Sequence, residues 1–201
     1  MFDPFFIKHL KSPLRHLAKA IDALGITANQ LTIVGFIIGI LSLPALYWHA
    51  YDLALWCVII NRLIDGLDGA VARLQGPTDL GGYLDITLDF IFYSAVVFGF
   101  ALANPLDNSL AAAFLIFAFM GTGSSFLAFA IMAQKRNIER LEYGHKSLYF
   151  LGGLAEGAET IAFLVLICLL PNYFSLLAYV FGSICWLTTA TRLYAGYQTL
   201  R

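Results

Sequence analysis

The sequence predicts an all-α polytopic membrane protein, with six transmembrane helices preceded by an N-terminal amphipathic helix at the membrane interface. Three observations carry this expectation. Of 201 residues, 60% are hydrophobic and only 12% charged, too little polar surface for a soluble globule. Apolar blocks long enough to cross a hydrocarbon core of ~30 Å, roughly 20 residues each, recur along the chain. Those blocks are continuously apolar rather than alternating, which argues against a transmembrane β-barrel.

The elements follow in order. Residues 4–24 place Phe6, Ile7, Leu10, Leu14, Leu17, Ile21 and Leu24 near helical spacing, with Lys8, Lys11, Arg15 and Lys19 between them. That pattern predicts an interfacial helix within residues 1–25, apolar face in the lipid and basic face toward anionic headgroups, with Pro13 kinking or breaking it. No short apolar run is followed by small cleavage-site residues, so a cleavable signal peptide is not expected. Six spans follow at roughly 30–48, 53–74, 82–103, 109–133, 148–170 and 174–196, forming a bundle over 30–196. The turns 49–52, 104–108 and 171–173 contain no Lys or Arg. All 12 basic residues fall in the N-terminal segment, near 61–81, in 135–146, or at the C-terminal end. The positive-inside rule then places both termini and the even-numbered connections in the cytoplasm; a bacterial-type inner membrane, with the active site on its cytoplasmic side, is the expected location. A single domain over 1–201 is expected, with no linker or internal repeat. Cys57, Cys168 and Cys185 stand singly in apolar segments and read as small buried hydrophobes, not as thiol ligands or disulfides.

The stretch DGLDGAVARLQGPTDLGGYLDITLDF, residues 65–90, holds five of the 13 acidic residues of this oily chain. Asp65 and Asp68 are spaced i,i+3 and Asp85 and Asp89 i,i+4, so each pair projects from one helix face. The Gly76-Pro77 pair breaks the helix between them, and the two pairs face each other across a tight helix–loop–helix. Carboxylates gathered at a membrane interface repel one another and lose hydration, so something cationic must sit among them. Arg62 and Arg73 are close in sequence but too few for four acids. Hard divalent cations, Mg²⁺ or Mn²⁺, suit the number and type of ligand, and such ions commonly hold substrate phosphates as well. Gly66, Gly69, Gly81 and Gly82 leave room for a bulky ligand near the backbone. Solvated loop acids would need neither the helical spacing nor the flanking glycines.

The pattern Asp65-x2-Asp68-Gly69-x2-Ala72-Arg73-x7-Gly81-x3-Asp85-x3-Asp89 resembles the signature of the CDP-alcohol phosphatidyltransferases. The resemblance implies that Asp65, Asp68 and Asp85 bind one or two divalent metals. It implies that Asp89 both touches a metal and acts as general base, while Gly69 and Arg73 contact the CDP moiety. Upstream, ITANQLT looks like the family's nucleotide-side motif: Asn29 and Thr32 match it, and Ala28 stands where proline is usual. A simple helix N-cap on span 1 is the plainer reading of Asn29 and Thr32. The implied chemistry is attack of an alcohol hydroxyl on the β-phosphorus of a CDP-linked donor, releasing CMP. CDP-diacylglycerol is the default donor, and a CDP-choline or CDP-ethanolamine donor with a diacylglycerol acceptor is the alternative. The implied partners are the donor, an alcohol acceptor, membrane lipids and a second copy in a homodimer, with no nucleic acid.

For the acceptor, LEYGHKSLYFLGGLAEGAET is the next informative stretch. His145 and Lys146 precede span 5, and Glu156 and Glu159 sit i,i+3 at its start. EYGHKSLYFLGGLAEG looks somewhat like the corresponding stretch of eukaryotic choline and ethanolamine phosphotransferases, and the four residues are read as candidate acceptor or headgroup contacts. Glu156 and Glu159 read either as site residues or as structural partners of Arg192 or Lys146. GTGSSF (121–126) reads as close helix packing through small residues, and Lys135, Arg136 and Arg140 as headgroup contacts. Two other classes fit less well: an ion-binding transporter, whose acids would lie nearer the midplane of a repeated architecture, and a catalytically inactive membrane scaffold.

Overall fold

The computed structural model describes residues 14, 16–136 and 153–201, and among them every regular element is helical. Helix α1 spans 16–23. It is followed by α2 (Ala28–Ile40), α3 (Ser42–Tyr47), α4 (Tyr51–Gln75), α5 (Asp79–Ala103) and α6 (Pro105–Lys135). After the undescribed stretch come α7 (Gly157–Leu169), a 3₁₀ turn (Pro171–Tyr173) and α8 (Phe174–Leu200).

Local sequence accounts for the boundaries. Thr27 caps α2 through a capping box: Gln30 N–H donates to Thr27 Oγ1 at 3.3 Å, and Thr27 N–H to Gln30 Oε1 at 2.9 Å. The N-cap reading of Asn29 and Thr32 is therefore corrected: Thr27 does that work, and both side chains are left for other contacts. The first expected span is two helical pieces broken at Leu41. Pro44, lacking an N–H, cannot bond the Ile40 carbonyl four residues back, and this weakens the ladder there. Gly76 ends α4 with φ of 95°, a left-handed conformation that only glycine adopts cheaply. Thr78 then starts α5 by accepting from Gly81 N–H at 3.0 Å. A single residue, Asn104, separates α5 from α6, whose first position is Pro105.

Among the described residues, four stretches are long and apolar enough to cross a membrane: Ala28–Tyr47, Asp79–Ala103, Pro105–Lys135 and Pro171–Leu200. Helix α4 has 25 residues but carries Asp52, Arg62, Asp65, Asp68 and Arg73. Helix α7 is described over 13 residues. The fifth span was expected from 148, yet residues 153–156 are not helical. Glu156 is the N-cap of α7, so Glu156 stands before the helix instead of inside its first turn.

The helices pack with α2 and α3 against α4 and α5, α5 against α6, α6 against α8, and α4 against α7. Phe100 stacks on Phe174 at 4.6 Å between ring centres, and Phe163 on Phe181 at 4.4 Å. Fully buried Val58, Val96, Leu164 and Ile167 belong to the same core cluster. Trp56, Phe117, Met120 and Leu176 point outward and are exposed. An apolar outside around an apolar core is the signature of an integral membrane protein, whose solvent is lipid. Gly39 permits a close approach of α2 to α5, because a Cβ there would lie 2.7 Å from the Phe92 ring. Asn61 Nδ2 donates to the Gly35 carbonyl at 2.9 Å and bolts α4 to α2 at the same level. Ala18 of α1 is buried, and Leu14 and Ile21 pack with it against Ala70 and Val71 of α4. Leu17 and Leu24 face outward, so the apolar residues of this segment divide between protein and surroundings.

Candidate functional site

The short Gly76-Pro77-Thr78 connection returns the chain so that the acidic ends of α4 and α5 meet. Asp65, Asp68 and Asp85 each direct one carboxylate oxygen to a common point, all three atoms lying within 4.8 Å of one another. Asp68 is buried, Asp65 half-buried and Asp85 exposed. Carboxylates this close repel by about 3 kcal/mol per pair at an effective dielectric of about 20, so the cluster is built for a cation. An all-oxygen, all-anionic donor set fits Mg²⁺ or Mn²⁺. Thr32 donates its hydroxyl to Asp68 Oδ2 at 2.6 Å, fixing that carboxylate from the side of α2.

Asp89 is engaged differently. Its two oxygens accept from Arg62 Nη2 at 2.6 Å and Nη1 at 3.2 Å, and Tyr93 O–H donates to Oδ2 at 2.8 Å. Neither Arg62 nor Tyr93 was singled out as a site residue from the sequence. Both were within reach of spacing: Tyr93 is i+4 from Asp89, and Arg62 is i−3 from Asp65.

Two cavities flank the acids. The first, of about 610 Å³, is lined by Asn29, Thr32, Gly69, Arg73, Gly81 and the three converging aspartates, among others. All four residues expected on the nucleotide side thus share one cavity with the acids. The approach is tight at one point, since a Cβ on Gly81 would stand 3.0 Å from Asn29 Oδ1. Gln75 closes the rim: it accepts from Ala28 N–H at 3.2 Å and donates to Asp22 Oδ1 at 2.9 Å and the Ile26 carbonyl at 3.0 Å.

The second cavity, of about 390 Å³, lies toward α6, α7 and α8. Asp85, Asp89, Tyr93, Thr122, Glu156 and Arg192 are among the residues that line it. Arg192 Nη1 donates to the Thr122 carbonyl at 3.2 Å, its guanidinium lies 5.5 Å from the Phe126 ring, and Glu156 is its electrostatic neighbour. Glu159 is directed elsewhere, accepting from Glu156 N–H at 3.2 Å in the cap of α7. His145, Lys146 and Arg140 lie outside the described residues. In GTGSSF, Gly121 and Gly123 do pack closely, against Trp186 and Phe90 respectively. The three cysteines are buried and unbridged.

Residues 25–193 match the family model for CDP-alcohol phosphatidyltransferase. The chain belongs to the CDP-alcohol phosphatidyltransferase family. It is therefore an enzyme of phospholipid biosynthesis that transfers phosphatidyl groups, as its family does. Over 201 residues it is 52% identical to the inner membrane protein YnjF of Escherichia coli, covering 100% of this chain and 98% of that one. It is 31% identical to the archaetidylinositol phosphate synthase of Pyrococcus horikoshii over 95% of this chain and 94% of the other. Among solved structures, phosphatidylinositol phosphate synthase of Mycobacterium tuberculosis with CDP-DAG bound shares the fold. It superposes with a TM-score of 0.67 at 21% identity, over 92% of this chain and 93% of that one. The same protein in complex with manganese and citrate gives 0.68 at 20% identity, over 92% and 88%.

Proposed function

We propose that this phosphatidyltransferase moves a phosphatidyl group from a CDP-linked lipid, CDP-diacylglycerol by default, to the hydroxyl of an alcohol, releasing CMP at the cytoplasmic face. The observation that supports this reading best is that the two cavities meet at the acids. Asp85 lines both, Asn29, Gly69 and Arg73 line only the first, and Asp89 and Arg192 only the second. A donor and an acceptor held on opposite sides of Asp85 would present their reacting atoms to one another. The manganese-bound and CDP-DAG-bound relatives support the same donor class and a divalent ion.

In this reading Asp65, Asp68 and Asp85 hold Mg²⁺ or Mn²⁺. When bound, the ion supplies Lewis-acid neutralisation of the pyrophosphate oxygens and of the charge developing on CMP. The chain's own residues do the rest. Asn29, Thr32, Gly69 and Arg73 seat the cytidine and its phosphates, with the Arg73 guanidinium as an anion partner. Asp89 accepts the proton of the acceptor hydroxyl as its oxygen attacks the β-phosphorus. The bond from that phosphorus to the CMP oxygen breaks, a phosphodiester forms, and CMP leaves with the electron pair.

The test is CMP release by the purified protein with Mg²⁺ or Mn²⁺. CDP-diacylglycerol, CDP-choline and CDP-ethanolamine are each offered against a panel of alcohols, with Asp89→Asn as the blank. Release that requires both a donor and an acceptor, and is lost in the variant, supports the reading and names the donor. Folded protein that binds CDP yet releases no CMP from any pair would sink it.

A further inference from the structure

Asp89 stands apart from the three converging acids because a cation is already on it. The Arg62 guanidinium grips both Asp89 oxygens, at 2.6 and 3.2 Å, and its Nη1 lies 3.5 Å from Asp65 Oδ2. Arg62 therefore bridges an acid of α4 to an acid of α5. It is firmly seated: Nε donates to Asn61 Oδ1 at 2.7 Å and Nη1 to the Tyr93 hydroxyl at 3.1 Å. The guanidinium also lies 5.0 Å from the Phe92 ring centre and 5.3 Å from that of Tyr93. Its side chain is only 9% exposed.

We propose that Arg62 takes the place of a second divalent ion, so that this chain works with one metal ion on Asp65, Asp68 and Asp85 and a guanidinium bridge between Asp65 and Asp89. The inference rests on the metal-dependent transferase reading above and deepens it. A guanidinium does not lose its proton in a protein, so it cannot step aside by neutralising. A dication placed between Asp65 and Asp89 would have to displace the fork from both acids or sit beside it. Side by side, the two cations would repel by several kcal/mol at an effective dielectric of about 20. Arginine's planar fork suits the bidentate grip, whereas lysine could offer only a point charge. The bridge also leaves Asp89 able to act. An ionised carboxylate has about four acceptor positions, of which Arg62 takes two and Tyr93 one, leaving one for an acceptor hydroxyl in the second cavity. Arg62 is thus a positioning residue, acting through Asp89.

The experiment counts ions, with Mn²⁺ as the probe. The purified full chain is titrated with Mn²⁺, bound metal is measured per chain, and the electron paramagnetic resonance spectrum is recorded at saturation. The wild type is expected to saturate at one ion with an uncoupled spectrum. Arg62→Gln is expected to take up a second ion and show spin coupling between neighbouring Mn²⁺ ions. Arg62→Lys, which keeps a cation there, should remain at one. A spin-coupled pair in the wild type overturns the proposal, and so does a folded Arg62→Gln protein that still binds a single ion. Should Arg62→Gln fail to fold, the wild-type spectrum decides alone: one uncoupled ion supports the proposal and a coupled pair overturns it. Absence of bound Mn²⁺ in the folded wild type would overturn the metal reading of the aspartates as well, which separates the two failures.

Discussion

Thr32 on α2 donates its hydroxyl to Asp68 on α4 at 2.6 Å, tying the nucleotide-side motif directly to an acid of the metal cluster. A hydrogen bond to a charged, buried acceptor is worth about 1.5–3 kcal/mol, or roughly 10- to 100-fold in an equilibrium constant. Thr32→Val keeps the shape and removes the donor, so it is expected to weaken Mn²⁺ binding by about tenfold, the lower end of that range. Thr32→Ser, which keeps the hydroxyl, should stay near wild type. Activity measured against Mn²⁺ concentration checks this, and equal metal dependence in both variants would disprove it.

Gly81 and Asn29 meet where the first cavity narrows. A methyl group at Gly81 would lie 3.0 Å from Asn29 Oδ1 and 3.1 Å from Thr78 Oγ1, which forces the amide aside. At Gly82 the same methyl group has nothing within 4 Å. Gly81→Ala is therefore expected to raise KM for the CDP donor by about tenfold, roughly 1.4 kcal/mol of lost donor binding, with a smaller change in kcat. Gly82→Ala should leave the melting temperature unchanged. Donor titrations of the two variants side by side separate them, and an unaltered donor KM in Gly81→Ala would remove Asn29 from the nucleotide site.

The acids and their helix–loop–helix were legible in the sequence because every signal for them is local. Asp65, Asp68, Asp85 and Asp89 carry helical spacing, and Gly76-Pro77 marks the turn that brings the pairs together. Contacts between distant positions left no such trace. Arg62 and Asp89 are 27 residues apart, and nothing in either segment announces that their helices align at that level. The second cavity depends on α6, α7 and α8 converging, which spacing within one helix does not report. The start of α7 lies later than the apolar residues from 148 suggest, because Glu156 and Glu159 form the capping box that opens the helix at Gly157. In the same way Thr27 and Gln30 spell a capping box three residues apart, which sets the start of α2 ahead of Asn29 and Thr32.

Ala28 shows how a departure from a family pattern is absorbed. Its N–H, which a proline would lack, donates to Gln75 Oε1 at 3.2 Å, and Gln75 also holds Asp22 and Ile26. Ala28 is the first residue of α2, where proline's fixed φ is favourable. Ala28→Pro exchanges one exposed hydrogen bond of about 0.5–1.5 kcal/mol for a stiffer unfolded chain worth about 0.4–1 kcal/mol, so the net change should be under about 1 kcal/mol. Gln75→Ala loses all three contacts with no such compensation and is expected to destabilise more, by about 1–2 kcal/mol. Thermal melting in detergent ranks them, and an Ala28→Pro protein less stable than Gln75→Ala would contradict the account.

Arg192 offers the test of the second cavity. It lines that cavity with Glu156 and Thr122 and is absent from the lining of the first. If the acceptor alcohol occupies this space, removing the guanidinium weakens acceptor binding and leaves donor binding alone. Losing a charge-assisted contact of about 1.5–3 kcal/mol corresponds to a rise in acceptor KM of roughly 10- to 100-fold for Arg192→Gln. Arg192 also donates to the Thr122 carbonyl, so some loss of stability accompanies the change. A melting curve measures that part, and Arg192→Lys keeps the charge while giving up the fork. Bisubstrate kinetics decides between the cavities. A raised acceptor KM at constant donor KM assigns the second cavity to the alcohol. A raised donor KM instead would mean that the lipid nucleotide reaches past Asp85, and the division of the two cavities between the substrates would have to be redrawn.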